Sequence, residues 1–323
     1  MDEARLMKRA IRLGARGLGA VEPNPPVGCV LVKNGRIVGE GFHRAFGGPH
    51  AEIEALKQAG RAARGATAVV SLEPCNHSGK TPPCTRALIE AGIRRVVVGV
   101  IDPNPQVSGR GLNRLKRAGL EVVSGIEAES AAALIAPYAK RLATGLPWVI
   151  AKWAQTLDGA IATREGDSRW ISCDASRRAV HRLRGRVDAV VVGAATARTD
   201  DPLLTARDVR TPRTARRIVI DPNQTLHLDS ALVRSIDQGP VAIAASRPLN
   251  QTANGRRLAS ADVERLTLGP KGQLKPLLRE LVKKHDATQV LVEGGGRTLG
   301  AFFQQKMVDE VWVFVAPKLA ADP

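Results

Sequence analysis

Short apolar runs alternate with amphipathic stretches in the first half of the chain. The runs typical of strands are 27–33, 36–42, 67–72, 95–100 and 121–124. The stretches with helical spacing of apolar residues are 2–20, 49–59, 85–91, 109–118 and 127–143. Asn34-Gly35, between the first two runs, is a dipeptide preferred in two-residue hairpins. This alternation predicts an α/β domain built around a central sheet.

The pattern stops at Gly145-Leu146-Pro147 and then starts again. Further strands are predicted at 148–153, 189–193, 218–220, 241–245, 289–292 and 311–315. Further helices are predicted at 174–184, 273–284 and 297–304. A chain of 323 residues has room for two domains. We therefore expect two α/β domains, covering residues 1–145 and 146–323.

Composition and charge narrow the class of protein. Aromatic residues make up only 3% of the chain, so both cores must consist mainly of aliphatic side chains. The net charge of +17 favours an anionic ligand, whether a nucleic acid, a phosphorylated metabolite or NADP. No apolar run is long enough to span a membrane, and the N-terminus lacks the pattern of a signal peptide. These features predict a cytoplasmic enzyme.

The chain contains four cysteines, too few for a disulfide scaffold. Two of them belong to an ordered set with metal-ligand chemistry: Pro49-His50-Ala51-Glu52 is followed by Pro74-Cys75 and, after eight residues, Cys84. A catalytic zinc takes three protein ligands and keeps one position for water, which it acidifies. We expect His50, Cys75 and Cys84 to bind one zinc ion per chain. Glu52 would carry the water's proton to a leaving amine.

This order of residues matches the His-x-Glu and Pro-Cys-x-x-Cys pattern of zinc nucleobase deaminases, except that their cysteines are two residues apart. Two alternatives remain open. His77 could complete a structural zinc site, which would leave Glu52 without a role. A deaminase that edits nucleic acid, such as tRNA, is compatible with the charge, but the wide cysteine spacing and the scarcity of aromatic residues disfavour it. Cys29 and Cys173 are expected to be buried as small apolar residues.

Residues 74–84, Pro-Cys-Asn-His-Ser-Gly-Lys-Thr-Pro-Pro-Cys, resemble the long zinc motif of the bifunctional deaminase–reductases of riboflavin biosynthesis, and so do residues 23–28 and 39–52. The resemblance implies a cytidine-deaminase-like, three-layer α/β/α domain at the N-terminus. Its implied reaction is the hydrolytic removal of the 2-amino group from 2,5-diamino-6-ribosylamino-4(3H)-pyrimidinone 5′-phosphate. The substrate contacts implied are Asn24, His43, His77, Lys80 and Thr81. Judged without the resemblance, Lys80 is equally well explained as a solvated loop lysine.

A second group of motifs lies beyond residue 146. Glycines 294–296 follow an apolar run and precede a helical stretch, where free backbone N–H groups can bind a pyrophosphate. Leu299 stands where a dinucleotide fingerprint has its third glycine, so a tight turn is an equal alternative. Lys152 lies on a predicted strand, and Asp201-Pro202 follows another strand. Each of these features also has a purely structural explanation.

Together, these motifs resemble the reductase half of the same family, which implies a dihydrofolate-reductase-like α/β fold and NADPH-dependent reduction of the ribosyl group to ribityl. Lys152 is expected to act as a catalytic residue that orients the sugar or donates a proton to it. The NADP contacts implied are Ala154, Trp170, Thr196, Asp200, Gly295, Gly296, Arg297, Thr298, Leu299 and Gly300. The substrate contacts implied are Ser168, Arg184, Leu204, Arg207 and Glu293. Arginines suit a phosphate because guanidinium donates two parallel hydrogen bonds.

The resemblance carries three further expectations. The partner molecule would be a phosphorylated pyrimidine, with no nucleic acid and no membrane involved. The chain would form a homo-oligomer, a dimer or a tetramer. Chains of the family continue past Pro317 into a glycine-rich segment and further strands, so we expect the reductase domain of this sequence, which ends at Pro323, to be C-terminally truncated.

Overall fold

The computed structural model describes residues 2–76, 82–162 and 171–320. The chain divides into two compact units, Met1–Thr144 and Gly145–Pro323. Among the residues described, no helix combines the length and the apolar character needed to cross a membrane.

The first unit contains a mixed five-stranded sheet in the order β2-β1-β3-β4-β5. Its strands are β1 (Gly28–Lys33), β2 (Arg36–Phe42), β3 (Thr67–Leu72), β4 (Arg95–Val100) and β5 (Glu121–Ser124). Its helices are α1 (Glu3–Gly14), α2 (Ala51–Ala59), α3 (Cys84–Glu90), α4 (Arg110–Arg117), α5 (Ala128–Leu134) and α6 (Ala136–Thr144). Strand β1 is antiparallel to both of its neighbours, whereas β3, β4 and β5 run parallel.

Alternation of side chains along the strands produces two apolar layers. In β1, Leu31 packs with α2, α3 and α4 on one face of the sheet, whereas Val30 packs with α1 on the other. Since successive strand residues point to opposite faces, a strand covered on both faces is apolar throughout, as Val69 and Val70 are in β3. The three-layer α/β/α arrangement expected for this half of the chain is therefore observed.

The hairpin predicted at Asn34-Gly35 is confirmed. Both residues have positive φ angles, 49° and 72°, as a two-residue turn between twisted antiparallel strands requires. The single helix predicted over 127–143 is wrong: it is interrupted at Ile135, and α6 starts again with Pro137 in its first turn. Proline lacks the N–H that a continuous helix would need at this position, so the break follows from its chemistry.

Two glycines of β2 let helix α2 lie unusually close to the sheet. A Cβ atom on Gly41 would lie 2.2 Å from the carbonyl oxygen of Ala51, and one on Gly39 would lie 2.3 Å from that of Ala55. Helix α2 carries Glu52, so this close packing determines how deeply that candidate catalytic residue is buried.

Replacing Gly41 with alanine should therefore destabilise the first unit and displace α2. The expected cost is about 1–3 kcal/mol, the usual penalty for adding an atom to a closely packed interface. Urea unfolding followed by circular dichroism would measure it. Gly35→Ala is a comparison rather than a neutral control: nothing lies within 4 Å of its Cβ position, so any loss of stability comes from its positive φ, and α2 should stay in place. Equal stability of Gly41→Ala and the native protein would contradict this account.

The second unit contains a seven-stranded sheet in the order β10-β9-β8-β7-β11-β6-β12, parallel throughout. Its strands are β6 (Trp148–Thr156), β7 (Ala189–Gly193), β8 (Arg216–Ile220), β9 (Val241–Ala245), β10 (Glu264–Thr267), β11 (Gln289–Val292) and β12 (Glu310–Ala316). Its helices are α7 (Asp174–Arg184), α8 (Ala194–Asp200), α9 (Ala231–Arg234), α10 (Ala253–Ser260), α11 (Lys275–His285) and α12 (Gly296–Gln304).

Helices cover both faces of this sheet. Helices α11 and α12 pack on one face, and α7, α9 and α10 pack on the other. Three adjacent strands have their carboxyl ends at the same edge of the sheet: β6, β7 and β11. Such an edge is where ligands bind in open parallel sheets, because the chain leaves adjacent strands in different directions there.

The four cysteines are free, as expected. Cys29 is buried in the core of the first unit, which confirms its predicted environment. The same prediction is wrong for Cys173, which is exposed just before α7. Cys173 immediately precedes the amphipathic helix α7. At that position its thiol lies at the surface rather than in the apolar layer.

Candidate active sites

The three expected zinc ligands come together at one edge of the first sheet. The Nδ1 atom of His50 lies 3.5 Å from the Sγ of Cys75 and 3.3 Å from the Sγ of Cys84. The three ligand atoms all lie within 4.8 Å of one another. Cys75 follows the end of β3 and Cys84 begins α3. His50 was expected in the first turn of a helix, but its backbone is extended and α2 begins at Ala51.

The donor set suits zinc. One imidazole nitrogen and two thiols are ligands that zinc prefers, and within the described residues they form a group of three. Hydrogen bonding from the Cys84 thiol lowers the pKa of Cys75, which favours the thiolate, the form in which cysteine binds zinc. The backbone N–H of Cys84 also donates to it at 3.4 Å. His77, the alternative fourth ligand, lies outside the described residues.

Glu52 lies next to this cluster and is almost completely buried, at 3% exposure. Burial, reinforced by the charge of Cys75, raises the pKa of Glu52 to about 7. A carboxyl group that titrates near neutral pH can both accept and release a proton under physiological conditions. Its surroundings therefore fit the proton-carrying role predicted from its spacing.

The cluster opens into a cavity of about 360 Å³ that Glu52, Asn24 and His43 also line. The Nδ1 atom of His43 lies 3.0 Å from the carbonyl oxygen of Pro49, which can only accept, so Nδ1 carries the hydrogen. Its Nε2 atom, 3.3 Å from the amide nitrogen of Asn24, then accepts a hydrogen bond from that amide. Burial lowers the pKa of His43 and keeps the ring neutral. Both residues are thus held in fixed orientations at the cavity wall.

Residues that the sequence analysis did not identify also line the same cavity, among them Asp102, Asn104 and Tyr138. The hydroxyl of Tyr138 donates to Asp102 at 3.2 Å. A signal for Asp102 was available, because it follows β4, the parallel neighbour of β3, and must emerge at the same sheet edge as Cys75. Nothing in the local sequence pointed to Tyr138. The expected contacts Lys80 and Thr81 lie, like His77, outside the described residues.

The second candidate site centres on Glu293, which follows β11 and is buried. Arg184 donates two hydrogen bonds to its carboxylate, at 2.6 and 3.0 Å, and the Nζ of Lys152 lies 3.6 Å away. Burial alone would raise the pKa of Glu293, but the charges of Arg184 and Lys152 outweigh burial and lower it. The carboxylate therefore stays ionised and holds both cations in place.

A cavity of about 350 Å³ contains most of the residues expected at this site. The expected residues that line it are Lys152, Ala154, Arg184, Thr196, Asp200, Arg207, Glu293, Gly295 and Leu299. Leu204 instead lies in the adjacent apolar core, with 3% exposure, and borders a neighbouring cavity. Ser168 and Trp170 lie outside the described residues. Arg184 is paired with Glu293, whereas Arg207 is exposed at this cavity.

The expected NADP loop over 295–300 is a helix from Gly296 onward, and Gly296, Arg297, Thr298 and Gly300 do not line the cavity. Glycine at position 193 instead lets the first turn of α12 lie against the end of β7. A Cβ on Gly193 would lie 2.4 Å from the hydroxyl of Thr298, and the N–H of Gly295 donates to Thr196 at 3.3 Å.

Helix α7 contributes two cavity residues with nitrogen-bearing side chains that the sequence analysis missed, Arg177 and His181. Together with Arg184 they are spaced four and seven residues apart, which places all three on one face of the helix. That spacing was a readable signal. Two of these cations are already paired, Arg184 with Glu293 and Arg177 with Asp174. Burial lowers the pKa of His181, so this helix face adds little free positive charge to the cavity.

Comparison with known protein families matches both units. A model described as the cytidine and deoxycytidylate deaminase zinc-binding region matches residues 1–100. A model described as the RibD C-terminal domain matches residues 147–320.

Relatives resemble nearly the whole chain. The riboflavin biosynthesis protein RibD of Aquifex aeolicus is 43% identical over 317 residues, covering 98% of this chain and 87% of the relative. The protein of the same name from Escherichia coli is 41% identical over 333 residues, covering 99% and 89%. Among solved structures, Acinetobacter baumannii RibD has a TM-score of 0.84 at 39% identity, covering 98% and 87%. A diaminohydroxyphosphoribosylaminopyrimidine deaminase/5-amino-6-(5-phosphoribosylamino)uracil reductase from Thermotoga maritima has a TM-score of 0.87 at 39% identity, covering 99% and 88%.

Proposed function

Since the chain belongs to the RibD family of riboflavin biosynthesis and combines a deaminase with a reductase domain, we propose that it deaminates a phosphorylated diaminopyrimidine at the first site and reduces its ribosyl group at the second. Family membership confirms the resemblance found in the sequence, the two-domain α/β fold and the bifunctional hydrolase and oxidoreductase class. The observation that carries the proposal is the convergence of His50, Cys75 and Cys84 beside buried Glu52 in one cavity.

In the proposed deamination, His50, Cys75 and Cys84 would hold zinc, which supplies a Lewis acid that acidifies a water molecule. Glu52 accepts a proton as the water oxygen bonds to C2 of the pyrimidine. It then delivers a proton to the 2-amino nitrogen as the C2–N bond breaks, so that ammonia leaves and a carbonyl forms. Asn24 and His43 lie on the cavity wall in fixed orientations and are proposed to position the ring.

In the proposed reduction, NADPH would supply the hydride, and Thr196, Asp200 and the N–H groups around Gly295 would hold it. Lys152 donates a proton to the sugar oxygen as C1′ is reduced and the ribosyl ring opens. Glu293 keeps the ammonium of Lys152 in place through its charge. The exposed guanidinium of Arg207 is proposed to bind the substrate phosphate.

The alternative of a nucleic-acid-editing deaminase receives less support, because the similarity to RibD proteins extends through the second unit as well. We propose a small phosphorylated pyrimidine as the partner molecule, with the chain assembling as a homodimer or homotetramer. An RNA gel shift at physiological salt distinguishes the two activities: tight binding that weakens steeply with added salt would favour the editing enzyme.

Mass spectrometry of the pyrimidine product tests both reactions together. Without NADPH, the diaminopyrimidine should exchange an NH for an oxygen. With NADPH, the product should gain two further hydrogens. An unchanged pyrimidine in both samples would contradict the proposed deaminase, whereas deamination without reduction would contradict only the reductase half.

A further inference from the structure

Glu73 is a buried acid of the zinc motif to which no role has yet been assigned. It lies between β3 and Cys75 with 4% exposure. One carboxylate oxygen accepts backbone N–H groups from Asp102 and Gly109, at 3.3 and 2.9 Å. The other accepts those of Gly111 and Leu112, at 2.8 and 3.3 Å. One side chain therefore binds four N–H groups of the segment that leads from β4 into α4.

The metal ligand next to Glu73 is held by other bonds. The backbone N–H of Glu73 donates to the carbonyl of Val100 at 3.0 Å, which continues the pairing of β3 with β4. The N–H of Thr85 donates to the carbonyl of Cys75 at 3.2 Å. These backbone bonds hold the chain on both sides of Cys75 without involving the carboxylate, so we expect Cys75 to keep its position when the carboxylate is replaced.

The segment that the carboxylate holds forms one wall of the deaminase cavity. Asp102, Asn104 and Val107 line the cavity together with Glu52, and we call these three residues the far wall. The start of α4 also lies against Pro74, the residue before Cys75, because a Cβ on Gly111 would lie 2.2 Å from the carbonyl oxygen of Pro74. Glu73 thus joins the far wall to the segment that leads from β3 to the metal ligand Cys75.

We propose that Glu73 is a positioning residue that fixes the far wall and thereby sets the affinity of the deaminase site for its substrate. The inference rests on the proposed deaminase function. A carboxylate suits this role because it only accepts hydrogen bonds, and all four partners are donors. A glutamine would turn its NH₂ group toward two of those donors, and an alanine would leave all four without this acceptor.

The test compares the native full-length protein with Glu73→Gln and Glu73→Ala by steady-state ammonia release and by zinc content. The Michaelis constant should rise about tenfold in Glu73→Gln and further in Glu73→Ala, while kcat falls less and zinc content stays at the native level. Glu90→Gln is the matched control, because Glu90 lies in the same unit but is 60% exposed and pairs with Arg86 along its own helix.

Hydrogen exchange supplies a measurement that does not depend on activity. The amides of Gly109, Gly111 and Leu112 should exchange faster in both Glu73 variants, while those of β3 and β4 keep their native protection. If Glu73→Ala does not fold, Glu73→Gln decides. A native Michaelis constant and native exchange in that variant would overturn the inference, and so would loss of its zinc. Failure of the native protein to release ammonia would instead contradict the proposed function.

Discussion

Replacing Glu52 with glutamine should reduce ammonia release by about 10²–10⁴-fold, because the reaction loses the group that carries a proton from water to the departing amine. The amide has nearly the same shape as the carboxyl group but cannot accept that proton. Zinc content should not change, since the ligand cluster consists of His50, Cys75 and Cys84. Ammonia release coupled to a detecting enzyme, together with elemental analysis of the same sample, measures both quantities.

The matched control is Glu54→Gln. Glu54 lies in the same first turn of α2, but its carboxylate pairs with Arg44 at 3.1 Å and does not line the cavity. This variant should retain native ammonia release. Native activity in Glu52→Gln would eliminate the assigned role of Glu52. Loss of zinc from Glu52→Gln would show that the acid helps to hold the metal, and the site would then be better described as structural.

The chemistry of the first site was predictable from sequence because its essential residues lie in short motifs. His50 and Glu52 are two residues apart, and Cys75 and Cys84 flank one loop, so the residue types and their order along the chain pointed to them even though the cysteine spacing is unusual. Asp102 was missed because it reaches the cavity through the pairing of β4 with β3, and Tyr138 because it reaches the cavity from helix α6, outside the zinc motifs. Local spacing carries no information about which strand ends become neighbours.

The second site shows the same limit more strongly. Glu293 and Arg184 are 109 residues apart, yet they form a two-bond ion pair. Each was expected to contact substrate, and their pairing with each other could not be read from either motif. Strand β10 and helices α8, α9 and α10 were not predicted, because they are short and few of their residues are buried, so their apolar periodicity is weak.

Lys152→Met should reduce NADPH oxidation with the deaminated pyrimidine by about 10²–10⁴-fold, because it removes the proton donor but keeps the length of the side chain. This substitution is cleaner than one at Glu293, whose loss would leave the half-buried cations Lys152 and Arg184 without their shared carboxylate. In Lys152→Met, Glu293 keeps both bonds from Arg184, so the fold should persist.

Ammonia release by the first site should stay native. Lys283→Met, on the exposed side of α11, controls for the loss of a lysine from the same unit. Undiminished loss of NADPH absorbance in Lys152→Met would show that the proton reaches the sugar from another group.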